Sequence, residues 1–108
     1  MTQTIVQINF TYGMADVEYA TLAQHGATAI AGVPGLIWKV FLCNAEQKTA
    51  GGIYLFADRA AATAYVNGPI IARLRQHPQI TGMSINLFAV LLAPTAVTGG
   101  PLAALSPA

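Results

Sequence analysis

The side chains able to do chemistry in this sequence are few, and one lysine stands out among them. Lys39 is the only charged residue inside any predicted strand, and the amides of Asn9 and Asn86 lie in two others. A fixed cation with amide donors stabilises an anion such as a phenolate when the surroundings exclude water. Lys39, Asn9 and Asn86 are therefore the candidate catalytic residues.

These polar residues have a second interpretation. The strand that carries Lys39 is predicted to lie at an edge of the sheet, where lysine commonly prevents edge-to-edge aggregation. Gln7, Asn9 and Asn86 can instead hydrogen-bond a partner chain across an interface. Both interpretations stay open at the level of sequence.

Further candidates for binding a small molecule combine aromatic rings with a few polar groups. They are Gln7, Trp38, Phe41, Tyr54, Phe56, Arg73 and Ser84. Alternation along the strands predicts that Gln7 and Ser84 share one sheet face, and we assign Tyr54 to the same face. Trp38 fits a core position as well as a ligand contact, and Arg73 fits a solvated position as well as the mouth of a binding chamber.

Metal and cofactor motifs are missing from the chain. The spacings H-x-x-H, C-x-x-C, G-x-G-x-x-G and the P-loop do not occur, so no metal or cofactor is expected. The acidic residues fall in predicted caps and loops, and His25 and His77 are expected at the surface without a triad. With no evident general base, the substrate's own acidity or a lowered pKa of Lys39 would have to serve.

Periodicity predicts the element order βαββαβ. Strands are expected over 3–12, 36–43, 51–57 and 80–92, and helices over 16–32 and 59–75, the second interrupted at Gly68 and Pro69. Asp16 and Asp58 are the expected helix caps. The arrangement predicts an α+β ferredoxin-like domain over 1–93, with a four-stranded antiparallel sheet and two helices on one face. An Ala/Gly/Pro-rich tail, 94–108, would be loose or would dock on a partner through Leu102 and Leu105.

Composition predicts that the uncovered sheet face has a partner. Hydrophobic residues make up 55% of the 108 residues and charged residues only 8%, so the isolated domain would expose apolar patches. We expect a homodimer that encloses a chamber for an apolar or aromatic small molecule. A net charge of +1 argues against nucleic acid, and no run approaches the roughly 20 apolar residues of a membrane span.

The single Cys43 fits a reducing compartment. The N-terminus lacks the basic and small-residue features of a signal peptide, so the expected location is the cytoplasm. Free cysteine is among the most buried residue types, and Cys43 is expected to be a buried thiol.

Two stretches resemble the YdhR-like monooxygenase family: Pro34–Val40, which reads PGLIWKV, and Ala50–Asp58, which reads AGGIYLFAD. The resemblance extends over roughly Gln3 to Leu92. It implies a dimeric α/β barrel, similar to antibiotic-biosynthesis monooxygenases that oxidise aromatic polyketide-like substrates with O₂ and without metal or flavin.

The resemblance favours a cofactor-independent monooxygenase, an oxidoreductase, but leaves alternatives. The wider superfamily also holds haem-degrading enzymes and cyclases, and fold alone does not choose among them. The alternatives are a non-catalytic dimer that binds a small molecule and a non-redox cyclase or isomerase.

Overall fold

A four-stranded antiparallel sheet forms the base of the computed structural model, which describes residues 2–103. The strands are β1 (Thr4–Tyr12), β2 (Leu36–Asn44), β3 (Thr49–Phe56) and β4 (Ile80–Ala89). Their order across the sheet is β2-β3-β1-β4, and every neighbouring pair is antiparallel. This is the predicted ferredoxin-like topology.

Four helices accompany the sheet: α1 (Asp16–Ala31), α2 (Arg59–Val66), α3 (Pro69–Gln76) and α4 (Leu92–Val97). The predicted interruption of the second helix is confirmed, since Pro69 begins α3. Asp58 caps α2 as expected by accepting from the Ala61 N–H at 2.8 Å. Asp16 does not cap α1: it is the first helical residue, and its carboxylate accepts instead from Lys48 at 2.9 Å and Tyr12 at 2.8 Å.

The hydrophobic core lies between one sheet face and helices α1 to α3. Alternate residues of β1 are buried there, and Tyr54 and Phe56 of β3 meet Tyr65 of α2. The other buried residues of the cluster come from the sheet, from helices α1 to α3 and from the loop before α1: Val6, Ile8, Phe10, Tyr12, Met14, Tyr19, Ile30, Ala50, Ala62, Ile71 and Ile80. The assignment of Tyr54 to the uncovered face is therefore wrong; it is only 2% exposed and points towards the helices.

A bulge near the start of β2 decides which way that strand faces. The pairing with β3 shifts between Leu36 and Trp38, after which Lys39 lies opposite Tyr54. Since Tyr54 points towards the helices, Lys39 does so too, and Trp38 points to the opposite face. That opposite side of the sheet is called the open face below.

The chain after β4 returns across one end of the open face. The Trp38 indole N–H donates to the Pro101 carbonyl oxygen at 2.7 Å. The Gln3 side-chain amide exchanges two hydrogen bonds with the Ala103 backbone, at 3.0 and 3.1 Å. Leu55 lies between these two anchor points and is completely buried. The segment 101–103 thus packs on its own chain; Leu105 lies outside the described residues.

Cys43 is exposed rather than buried, because it lies near the end of edge strand β2; its Sγ is 3.4 Å from the Tyr12 hydroxyl. Within residues 2–103, no helix is long and apolar enough to cross a membrane.

Candidate active site

The structure separates the expected site residues into two groups on opposite faces of the sheet. Gln7 pairs with Asn86, and Asn9 pairs with Ser84, across the β1–β4 ladder on the open face. The Gln7 amide N–H donates to the Asn9 side-chain oxygen at 3.1 Å. These four residues form a polar cluster, called the amide cluster below.

The second group faces the helices. Lys39, Phe41, Tyr54 and Arg73 line one cavity there, whereas Phe56 is fully buried in the core. Trp38 belongs to neither group, because its indole is held by the segment 101–103. The expectation of a single chamber that combines Lys39 with Asn9 and Asn86 is therefore wrong: the sheet itself lies between them.

The cavity lies between α1 on one side and α2 and α3 on the other, with strands β1 to β3 as its floor. Its volume is about 360 Å³, within the range of small-molecule sites. Most of its lining is aromatic or aliphatic: Phe10, Tyr19, Leu22, Ala23, Ile30, Phe41, Tyr54, Tyr65, Ile70 and Leu74. Such walls suit a flat apolar ligand.

Lys39 is the charged group nearest the floor of this cavity. Its Nζ stands 3.7 Å from the centroid of the Phe41 ring and 4.6 Å from that of Tyr54. Burial lowers the pKa of Lys39 to about 8, because an apolar environment disfavours the ammonium form. In the described part of the chain, the recorded ion pair joins Lys48 to Asp16, so no carboxylate neutralises Lys39.

The absence of a side chain at Gly52 determines where the side chain of Lys39 lies. A Cβ at Gly52 would overlap Cε of Lys39 and would stand 3.0 Å from the Val40 carbonyl oxygen. The lysine stem thus lies across β3 where a side chain is missing, which brings Nζ back over the aromatic rings. The backbone also approaches closely at the neighbouring Gly51, where a Cβ would overlap the Ile8 carbonyl oxygen.

The cavity tyrosines are weak acids that remain protonated. The Tyr65 hydroxyl donates to the Tyr54 hydroxyl at 3.1 Å. Burial raises the pKa of both phenols, and that of Tyr19 to about 12. Because Tyr54 accepts from Tyr65, its own O–H is left to donate to a ligand.

The polar residues among the remaining lining are basic: Arg73, His25 and His77. Over the described range 2–103, no Asp or Glu belongs to the lining, so the cavity favours an anionic ligand. Both histidines were expected at the surface without a triad; His25 is exposed and His77 is half-buried, and both border the cavity. Arg73 lies in the last turn of α3, whereas His77 is the C-cap residue with extended dihedral angles, so helical spacing in the sequence could not have placed the two together.

Metal binding has no visible site in residues 2–103, where no three His, Cys, Asp or Glu side chains come together. The sheet, the helices and the cavity together define an α+β ferredoxin-like protein with a lysine-bearing aromatic cavity between its helices and its sheet.

The family follows from a direct match. The family model described as "Putative mono-oxygenase ydhR" matches residues 5–101. The chain belongs to this family. Among curated proteins no match was found.

Solved structures with the same fold include two enzymes. SnoaB, a cofactor-independent oxygenase from Streptomyces nogalater, is 17% identical, covers 86% of this chain and 97% of its own, and superposes with a TM-score of 0.68. The heme-degrader MhuD from Mycobacterium tuberculosis, with two hemes bound in its active site, is 28% identical, with coverages of 82% and 96% and a TM-score of 0.62.

A third structure is similar over the full length of this chain. NE2512 from Nitrosomonas europaea, a protein of unknown function, is 24% identical, covers 100% of this chain and 97% of its own, and has a TM-score of 0.64. SnoaB and NE2512 support the fold, since likeness at this level does not carry an activity.

Proposed function

We propose that the chain is a monooxygenase that acts on a phenol-bearing, polyketide-like aromatic molecule inside the cavity of each protomer. The observation that carries the proposal is the Lys39 amine at the floor of an aromatic-walled cavity, with no neutralising carboxylate among residues 2–103. The family match supports the reaction class.

Lys39 takes two successive roles in this proposal. With its pKa at about 8, a useful fraction of the amine is neutral near neutral pH and accepts a proton from the substrate's phenol or enol. The ammonium that results then stabilises the substrate anion in a medium of low dielectric. Arg73, His25 and His77 favour entry of an acidic ligand, and the Tyr54 hydroxyl donates to it.

The oxidation needs only O₂ and the substrate's own electrons. The bound anion passes one electron to O₂, and the radical pair combines at an activated methylene to give a hydroperoxide. Loss of water leaves a carbonyl, so one oxygen atom enters the product and the other departs as water. The methylene carbon supplies all four electrons that reduce the two oxygen atoms, so no external reductant is consumed.

Oxygen uptake with 1,8-dihydroxy-9-anthrone tests the proposal. We expect uptake above the uncatalysed rate, rising with pH to a plateau above about pH 8 as Lys39 loses its proton. Lys39→Met should lower the rate at least tenfold, or ~1.4 kcal/mol. Lys48→Met is the matched control, because Lys48 pairs with Asp16 outside the cavity.

Other outcomes distinguish the alternatives. Uptake that is unchanged in Lys39→Met would contradict the assigned role. Ligand binding without uptake would indicate a binding module, and turnover without oxygen would indicate a cyclase or isomerase.

We also propose that the open face pairs with a second copy of the chain. Val40 and Phe88 are exposed there by 50% and 51%, although both are large apolar residues. The amide cluster between them offers donors and acceptors that can pair across a two-fold axis. In this arrangement Asn9, Asn86, Gln7 and Ser84 serve the interface, and the two cavities remain separate.

Light scattering tests the dimer. The parent should behave as a dimer at micromolar concentration, and Val40→Asp should shift it towards monomer. Val17→Asp is the control, since Val17 is a 72% exposed residue of α1, outside the sheet. A parent that runs at 11.3 kDa would contradict the proposal.

Haem is a second candidate ligand, favoured by the 28% identity to MhuD. His77 is the cavity imidazole at the end of α3, but its Nδ1 accepts from the Gln79 N–H at 3.1 Å. In the neutral ring the proton is then on Nε2, which leaves no lone pair for iron. We therefore expect a haemin titration to show no Soret shift that depends on His77; a sharp, His77-dependent shift would favour haem.

A further inference from the structure

We propose that Lys39 is a carbonyl-capturing residue, whose amine condenses with aromatic aldehydes that enter the cavity and holds them as an imine. This chemistry is separate from oxygenation, needs no O₂, and does not depend on the proposed monooxygenase reaction.

The position of the amine is the first support. The stem of Lys39 lies over Gly52, so Nζ is held near the rings of Phe41 and Tyr54 instead of extending into solvent. A flat aromatic aldehyde that stacks within these walls brings its carbonyl carbon towards Nζ. The apolar lining also limits access of the water that would hydrolyse the imine.

The protonation state is the second support, since only a neutral amine attacks a carbonyl. With a pKa of about 8, about a quarter of Lys39 is neutral at pH 7.5, against ~0.1% for an ordinary lysine. Among the residues that the structure describes, the other titratable groups around the cavity are phenols and basic side chains: Tyr19, His25, Tyr54, Tyr65, Arg73 and His77. None of them is an anion that would restore the ammonium form at this pH.

The reaction is a condensation and balances without a redox partner. The Nζ lone pair forms a bond to the carbonyl carbon, and the amine loses its protons as the oxygen leaves as water. The product is a C=N bond to Nζ. A phenolic hydroxyl next to the aldehyde hydrogen-bonds the imine nitrogen and stabilises it, so ortho-hydroxy aromatic aldehydes are the preferred class.

Reductive labelling under argon tests the inference. The chain contains two lysines, Lys39 and Lys48, so Lys48 is an internal control for the labelling of Lys39. The intact protein is incubated at pH 7.5 with 2-hydroxy-1-naphthaldehyde and sodium cyanoborohydride, and labelled peptides are quantified by mass spectrometry. We expect Lys39 to be labelled at least tenfold faster than Lys48, whose Nζ is held by Asp16 and the Met14 carbonyl.

Two further measurements test whether the preference for Lys39 comes from the cavity or from the reactivity of its amine alone. Glyceraldehyde, which is polar and lacks a ring, should show a smaller preference for Lys39. Gly52→Ala should lower the labelling rate of Lys39 several-fold by displacing its stem, whereas Gly32→Ala, outside the cavity, should leave it unchanged. Equal labelling of the two lysines in the parent, or faster labelling of Lys48, would overturn the inference whatever the oxygenase assay shows.

Discussion

The stability of the Lys39→Met variant measures how strongly the cavity disfavours a charge. Burial lowers the pKa of Lys39 from 10.5 to about 8, and each unit corresponds to ~1.4 kcal/mol, so the ammonium costs up to ~3 kcal/mol at neutral pH. The contacts with the Phe41 and Tyr54 rings offset ~1 to 2 kcal/mol of this. Methionine fills a similar volume without charge, so we expect the free energy of unfolding at pH 7 to rise by about 1 to 2 kcal/mol.

The lowered pKa of Lys39 makes the free energy of unfolding depend on pH. Between about pH 8 and pH 10 the unfolded chain holds more protons on Lys39 than the folded chain does, so stability rises with pH over this window. The gain from pH 7 to pH 9.5 is up to ~2 kcal/mol in the parent and is absent in Lys39→Met. Above pH 10 the raised pKa of Tyr19, about 12, reverses the trend, because unfolded tyrosines lose protons first.

Urea denaturation at pH 7, 8.5 and 9.5, at one protein concentration, measures both effects. Lys48→Met is the matched control and should lose stability, since it removes the hydrogen bond to the Met14 carbonyl at 2.8 Å and the ion pair with Asp16. A Lys39→Met variant less stable than the parent at pH 7, together with a parent whose stability is flat up to pH 9.5, would refute the reasoning.

Two further predictions concern the segment 101–103 and the glycines. Gln3→Ala removes both hydrogen bonds to Ala103 and should cost ~1 to 3 kcal/mol in urea denaturation, whereas Gln7→Ala should cost less; equal losses would contradict the anchoring role of Gln3. Gly26→Ala in α1, where a Cβ meets no atom within 4 Å, should raise stability by ~1 kcal/mol. Gly35→Ala should lower stability, because φ is +81° and a Cβ would overlap that of Ala61. A lower melting temperature of Gly26→Ala would contradict the gain expected for that variant.

The order of elements could be predicted because each element has its own local signal. The period of two along β1 groups Val6, Ile8 and Phe10 on one face, and all three are buried. Gly68 and Pro69 marked the break between α2 and α3, because proline fits a first helical position. The amide cluster followed from the same alternation, since Gln7 and Asn86 come from regular parts of their strands.

The path of the segment 101–103 had no such signal. It is held by two contacts that are distant in sequence, from Trp38 to Pro101 and from Gln3 to Ala103. A hydrogen bond to a backbone carbonyl depends on position rather than on the identity of the acceptor residue, so composition gave no indication of it. The complete burial of Leu55 on the face opposite the helices is the consequence.

The location of the cavity depends on one residue in β2. Alternation groups Ile37, Lys39, Phe41 and Cys43 on one side; the last three do share a face, whereas Ile37 lies in the bulge. A period of two does not say which side of the sheet that face is. Leu36 packs on the core, so in an unbroken strand Trp38 would face the helices and Lys39 would lie on the open face. The bulge between Leu36 and Trp38 adds one residue, and Trp38 and Lys39 therefore lie on the opposite faces from those expected. Lys39 thereby lies over Gly52 between aromatic rings, and Trp38 becomes available to the Pro101 carbonyl. The same insertion therefore sets both the chemistry of the cavity and the anchoring of 101–103, and neither is encoded in the side-chain pattern of β2 alone.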